Sequence, residues 1–201
     1  SYPLVLKIPD SAFSLGVFKV ANEDEFRAKA ADLLDDSDLV LAQEFLPTDF
    51  DWRVGVLDRK PIFVCRYFMS KDHWQIYNHA RKAAESSGDF DSMPVEKAPP
   101  AVIETALHAA SLIGDGLYGV DLKQKGDKCC VIEINDNPNI DAGVEDESLG
   151  QKLYERIMQS FFERIERSKQ RADDNTSAAE TELSLKTARH ARASQCEGMR
   201  E

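Results

Sequence analysis

The chain has 201 residues, 25 Lys and Arg against 36 Asp and Glu, and a formal net charge of -11. That length holds one sizeable domain or two small lobes, and so acidic a balance excludes a general nucleic-acid binder, because neutralising phosphates takes a basic surface. No apolar run approaches the length of a membrane span, no secretory signal opens the chain, and four cysteines without CxxC spacing (Cys65, Cys129 and Cys130 in apolar strand-like runs, and Cys196) predict reduced, buried thiols of a cytoplasmic protein ahead of a zinc site or a disulfide framework.

The chain carries no initiator Met and starts almost at once with the strand pattern Leu4-Val5-Leu6-Lys7-Ile8, which predicts a fragment or a processed product. A polar loop, Pro9 to Gly16, separates that strand from a second, Val17-Phe18-Lys19-Val20. Asn22 followed three residues later by Glu25 predicts a capped helix start, continued by Phe26, Ala30 and Leu33 at helical spacing. Leu39 to Leu46 reads as a strand that exits at Pro47. Trp52 to Leu57 and Ile62 to Tyr67 read as a hairpin about the turn Asp58-Arg59-Lys60-Pro61.

Residues 70–98 are polar and irregular and predict a long loop of the kind that often serves a site. Pro99 and Pro100 open a helix carrying Val102, Ile103, Ala106, Leu107 and Ala110, ended by Gly114 or Gly116. Leu153, Ile157, Phe161 and Ile165 form an apolar stripe that predicts a core-packing helix. From about Ser168 large apolar residues nearly vanish, and the tail to Glu201 predicts disorder or weak helicity.

The chemistry-bearing feature is a second hairpin. Gly119-Val120-Asp121-Leu122 and Val131-Ile132-Glu133-Ile134-Asn135 flank the turn Lys125-Gly126-Asp127. Folded about that turn, Asp121 lies nearly opposite Glu133, and Asn135 shares the face of Glu133. Ile132 and Ile134 are expected to point into a core. Three hard-oxygen donors on one face suit Mg²⁺, which binds through one or two carboxylates plus nucleotide phosphates; a solvated strand face whose acids keep it soluble explains the same pattern. Lys7, the one charge in its strand, has two readings as well: a phosphate contact, or an edge-strand lysine that opposes aggregation.

The order of these parts resembles the ATP-grasp superfamily: a strand lysine, a loop, Gln43-Glu44-Phe45-Leu46, Asp51-x-Arg53, then Asp121 followed by Glu133-Ile134-Asn135. Phe50-Asp51-Trp52-Arg53-Val54-Gly55-Val56 and Tyr118-Gly119-Val120-Asp121-Leu122-Lys123 resemble a proteobacterial subgroup of its RimK-type, glutathione-synthetase-like ligases. The resemblance runs from about Tyr2 to Lys169. It implies an α+β fold, a partial ATP-grasp domain: residues 1–46 as the rest of a small nucleotide lobe, 47–168 as the C-terminal antiparallel-sheet lobe with flanking helices and metal site, and 169–201 as tail.

For the site the resemblance implies ATP phosphates on Lys7 and the loop of Ser11, Ser14 and Gly16, adenine on Gln43, Glu44, Phe45 and Leu46, and the ribose near Asp51. It further implies catalytic roles for Arg53, Arg66 and Asn78, and two Mg²⁺ ions, replaceable by Mn²⁺, on Asp121, Glu133 and Asn135. The activity implied is ATP-dependent amide formation between an amino-acid or peptide carboxylate, such as glutamate, and an amine acceptor, through an acyl phosphate. Rival readings are an ATP-grasp phosphotransferase and a truncated nucleotide-binding module inactive on its own; neither a nucleic acid nor a membrane is an expected partner, and homo-oligomerisation stays open. The chain departs from the pattern at Ile76, at Arg81-Lys82-Ala83 and at Pro138-Asn139, so the substrate is not read from it.

Overall fold

The computed structural model describes residues 1–9, 14–77 and 87–171. The chain separates into two compact units, Ser1–Leu153 and Tyr154–Glu201.

The first unit holds two antiparallel sheets. Strands β1 (Leu4–Lys7), β2 (Val17–Val20) and β3 (Leu41–Glu44) pair in the order β2-β1-β3. β1 is therefore central, and Lys7 guards no edge: it is buried, with 8% of its surface exposed. Helix α1 (Glu23–Asp36) buries Leu33 beside Leu6 and Val20. Its start is capped as expected: the Asn22 side chain accepts from the Glu25 N–H at 3.0 Å, and Glu25 Oε2 accepts from the Ala21 N–H at 2.8 Å. Three acids in the first turn add a favourable interaction with the helix dipole.

The second sheet has the order β6-β5-β4-β7-β8, built from β4 (Phe50–Leu57), β5 (Lys60–Phe68), β6 (Phe90–Met93), β7 (Leu117–Lys125) and β8 (Lys128–Asn135). The β4–β5 turn is tighter than the sequence pattern suggests. Asp58 and Arg59 both have positive φ, 50° and 62°, as a two-residue type I′ turn requires, so Lys60 and Pro61 already belong to β5. Pro61 sits where the register shifts between Gly55 and Val56, a place where a missing N–H is tolerated.

The segment 70–98, expected to be loop throughout, contains β6 and a 3₁₀ turn at Val95–Lys97. Helix α2 (Pro100–Ser111), opened by Pro99 and Pro100, lays Val102, Ala106 and Ala110 on one face of this sheet. There they meet Trp52, Val54, Val56, Val64, Val120 and Leu122. Burying a Val or Leu side chain contributes about 1.5–3 kcal/mol, so this face carries a large share of the core.

Residues 151–171 are helical. In the second unit Ile157 and Ser160 are buried, whereas Tyr154, Met158, Phe161, Phe162 and Ile165 are 37–65% exposed. The predicted stripe thus holds at Leu153 and Ile157 but not at Phe161 and Ile165. Each i+4 step overshoots a helical turn by about 40°, so three steps carry the stripe about 120° round the helix. Among the described residues no helix is long and apolar enough to cross a membrane. Cys65, Cys129 and Cys130 are free thiols, but only Cys65 is buried and Cys130 is exposed. The tail beyond residue 171 lies outside the described residues.

Candidate functional site

Side chains alternate along a strand, so the sheet face opposite α2 collects the odd-numbered residues of β4 and β7. Cross-strand pairing lines up Cys65, Arg53, Asp121 and Glu133 in one row. A neighbouring row runs Phe63, Gly55, Gly119 and Asn135. The two glycines make that row thin. A Cβ on Gly55 would lie 2.2 Å from the Phe63 ring, and one on Gly119 2.8 Å from Pro138 Cβ, so only glycine lets the ring and the segment after β8 close onto the sheet.

Asp121 and Glu133 are direct partners, as the sequence implies, with a bulge beside them. The bulge makes Ile132 the extra residue. It lines the cavity, and only Ile134 packs on the core.

Arg53 grips Asp121 with two parallel bonds, Nε to Oδ1 at 2.7 Å and an Nη to Oδ2 at 2.8 Å, and donates to Asn139 Oδ1 at 3.1 Å. Its guanidinium lies over the Tyr67 ring. Asn135 Nδ2 lies 3.2 Å from Glu133 Oε1 and 3.5 Å from Asp121 Oδ2. Lys7 reaches across from the three-stranded sheet: its ammonium donates to the Ile132 carbonyl at 3.0 Å and stands 3.7 Å from Glu133. Lys123 donates to Asp51 Oδ1 at 2.5 Å and to Thr48 Oγ1 at 2.7 Å. Three of the site carboxylates thus have a cation each: Asp51 with Lys123, Asp121 with Arg53, Glu133 with Lys7.

Burial raises the carboxyls of Asp51 and Asp121 above their ordinary range, against the pull of Lys123 and Arg53 respectively. Burial opposes charge on Arg53 too, but its bonds to Asp121 outweigh this and shift the guanidinium upward. Behind the row, Glu145 is fully buried, accepting from the Tyr67 hydroxyl and, at 2.8 Å, from the Asp141 N–H. Burial pushes the Tyr67 hydroxyl upward and the Cys65 thiol up to about 12.

These groups open onto a cavity of about 380 Å³ between the two sheets. Its lining is mixed: Val5, Val17, Phe45, Leu46, Trp74, Ile76 and Ile132 are apolar, and Lys7, Gln43, Glu44, Arg53, Asp121, Glu133 and Asn135 are polar or charged. Phe45 and Trp74 meet edge to face at 5.7 Å, with the Lys19 ammonium 4.5 Å from the Phe45 ring centre. Of the residues singled out in the sequence, Lys7, Ser14, Gln43, Glu44, Phe45, Leu46, Asp51, Arg53, Asp121, Glu133 and Asn135 all line this cavity.

Gly16 does not line it; it has a φ of 70° in the turn before β2. Arg66 is on the wrong face. It lies opposite Trp52, pairs with Asp91 and covers the rings of Phe50, Trp52 and Phe68 on the α2 side. Ser11 and Asn78 fall outside the described residues. Sequence reasoning missed Lys123, although its spacing of two from Asp121 puts it on the same face. It also missed Glu145, which no local pattern marks.

The donor set fits a hard divalent cation. Two carboxylates and an amide converge within hydrogen-bond reach, and a half-turn of the Asn135 amide presents its oxygen in place of nitrogen. Among the described residues no group of three His, Cys, Asp or Glu side chains is placed to hold a metal, so the amide is needed as the third donor. For Asp121 to serve a cation, at least one of the two bonds from Arg53 must be exchanged.

No protein-family model and no curated protein matches the chain. Solved structures do. D-alanine--D-alanine ligase from Bacillus anthracis superposes with a TM-score of 0.55 at 19% identity, over 83% of this chain and 57% of that one. The same ligase complexed with ATP gives 0.60 at 18% identity, over 83% and 55%. The ATP-grasp ligase PsnB, complexed with minimal precursor, Mg and ADP, gives 0.52 at 21% identity, over 79% and 47%. The chain thus has the fold of ATP-grasp ligases and spans about half the length of these proteins. At such identities the likeness is one of fold.

Proposed function

We propose that the chain is the metal- and nucleotide-binding part of an ATP-dependent carboxylate–amine ligase of RimK type. The observation that carries this is the Asp121–Glu133 pair with Asn135, beside Lys7 in a cavity lined by both charged and apolar groups, Phe45, Leu46 and Trp74 among them. A nucleotide needs both: an apolar slot for the base and paired hard donors with cations for the phosphates. Residues 1–46 then act as the rest of a small lobe, and 47–168 as the lobe that holds the metal.

In this reading a substrate carboxylate oxygen attacks the γ-phosphorus of ATP, ADP leaves, and an acyl phosphate forms. An amine nitrogen then attacks the acyl carbon, inorganic phosphate leaves, and an amide remains. Lys7 and Arg53 stabilise the negative charge that develops on the transferred phosphoryl group, and the backbone and side chains of 43–46 orient the base. Asp121, Glu133 and Asn135 would hold Mg²⁺, which would neutralise charge at the phosphates. Asn78, Ser11 and the loop to Gly16 are proposed to close on the substrates. The acyl donor is proposed to be an amino acid such as glutamate, and the acceptor the amine of a peptide or protein in the cytoplasm.

The test is ADP release by the intact protein with ATP, Mg²⁺ and candidate amino-acid and amine pairs, with the product weighed by mass spectrometry. An amide lost in Glu133→Ala is expected. Absence of ADP with every pair, or full turnover by Glu133→Ala, overturns the reading. A phosphorylated product in place of an amide would identify a phosphotransferase built on the same site.

A further inference from the structure

Arg53 has more than one anchor. It grips Asp121, and a cation at Asp121 must displace at least one of those two bonds. Its other partners are the Asn139 side chain, whose Oδ1 accepts from an Nη at 3.1 Å, and the ring of Tyr67, whose centre lies 5.1 Å from the guanidinium carbon. A guanidinium carries five N–H groups. Three go to Asp121 and Asn139; among the described residues nothing accepts from the other two, and Arg53 lines the cavity.

Both of the other partners lead to Glu145. The Tyr67 hydroxyl donates to Glu145 Oε1. Asn139 Nδ2 donates to Asp141 Oδ2 at 2.8 Å, and the Asp141 N–H donates to Glu145 Oε2 at 2.8 Å. The bonds close a circuit that runs from Arg53 on β4 through Asn139 and Asp141 to Glu145, and back through Tyr67 on β5 to the face of Arg53. The same segment is pinned at Val144, whose carbonyl accepts from the Ser92 hydroxyl on β6. Glu145 is wholly shielded from water, and among the described residues no ion pair reaches it. Packing alone gives no reason for an acid in such a place, since burying its charge is costly. What the carboxylate adds is two fixed acceptors, each of which holds one partner of Arg53.

Resting on the reading of the cavity as a nucleotide site, we infer that Glu145 is a positioning residue for Arg53: by holding Tyr67 and the Asn139–Asp141 segment it keeps the guanidinium in place when a cation takes up Asp121, so that Arg53 meets the terminal phosphate. Glu145 itself touches no ligand. Without the circuit, a long side chain released by Asp121 is free to spread over many rotamers, and the entropy of ordering it falls on ligand binding. Glu145→Gln keeps the circuit, because the amide oxygen accepts from the Asp141 N–H while the amide nitrogen donates to the Tyr67 oxygen. Glu145→Ala breaks it at both ends. Tyr67→Phe keeps the ring beneath Arg53 and breaks the circuit at one end.

Isothermal titration of the chain with Mg-ATP and Mg-ADP tests this, because only ATP carries the phosphoryl group assigned to Arg53. Glu145→Ala is expected to weaken Mg-ATP by about tenfold and Mg-ADP by less than about threefold, and Tyr67→Phe to weaken Mg-ATP by about threefold with Mg-ADP unchanged. Glu145→Gln is expected to restore the affinity for Mg-ATP to within about threefold. Circular dichroism and the unfolding midpoint confirm that the variants are folded; should Glu145→Ala not fold, Tyr67→Phe decides by the same criterion. Equal losses for the two nucleotides, or no loss for either, overturn the inference and leave the nucleotide site standing, as does a Glu145→Gln variant that behaves like Glu145→Ala. Absence of binding of both nucleotides by the unsubstituted chain overturns the nucleotide site and this inference with it.

Discussion

Arg53 with Asp121 and Arg66 with Asp91 join the same two side chains directly across neighbouring strands of one sheet, on opposite faces. Both pairs are bidentate; the Arg53 pair is withdrawn, with side chains 16% and 15% exposed, whereas the Arg66 pair is 31% and 41% exposed and lies over three aromatic rings. Desolvation separates them. Water screens the second pair and leaves it little net energy, whereas the first combines strong attraction with a high cost of removing either partner alone. The same chemistry is surface trim on the α2 face and a buried part of the cavity wall on the other.

Removing Arg53 should therefore have the largest effect. Arg53→Met leaves Asp121 buried beside Glu133 without its cation, and a loss of about 3–5 kcal/mol is expected in urea unfolding. A loss below about 1 kcal/mol would make the two pairs equivalent. Leu122→Ala, on the α2 face and fully buried, should cost about 2–5 kcal/mol by opening a cavity, yet leave nucleotide affinity per folded molecule unchanged. A change in that affinity would mean that the faces are not separable.

The alkaline limb of stability sharpens the contrast from the site side. Cys65 lies beside Arg53 in the same row, and its thiol, ordinarily near 9.0, is pushed up to about 12 by burial. The native state keeps a proton that the unfolded chain gives up, so stability should fall as pH rises above about 9. Cys65→Ala should lose less over that interval, and parallel curves for the two proteins would contradict the assignment. Arg66→Met should have the smallest effect, about 1 kcal/mol or less, most of it lost ring cover.

The contrast also explains what could be read from the sequence. Asp121 opposite Glu133 was legible because alternation and a Gly-centred turn fix a hairpin face, and the cavity wall at Gln43–Leu46 was legible through the order of motifs. Arg66 was not. A turn over Asp58–Pro61 sets Leu57 opposite Ile62 and Arg53 opposite Arg66, whereas the two-residue turn and bulge set Arg53 opposite Cys65. A slip of one residue exchanges the faces. The bulge at Ile132 defeats simple alternation in the same way, and β6, short and polar, is a strand only because β5 pairs with it. Lys7 read equally well as edge or site because sheet order is a tertiary property.

The most direct test of the charged face as a metal–nucleotide site is calorimetric titration of the chain with ATP, with and without Mg²⁺, beside Glu133→Ala. Binding well below the millimolar range that requires Mg²⁺ and is lost in Glu133→Ala is predicted. Binding indifferent to both Mg²⁺ and Glu133, or none at all, would contradict the account.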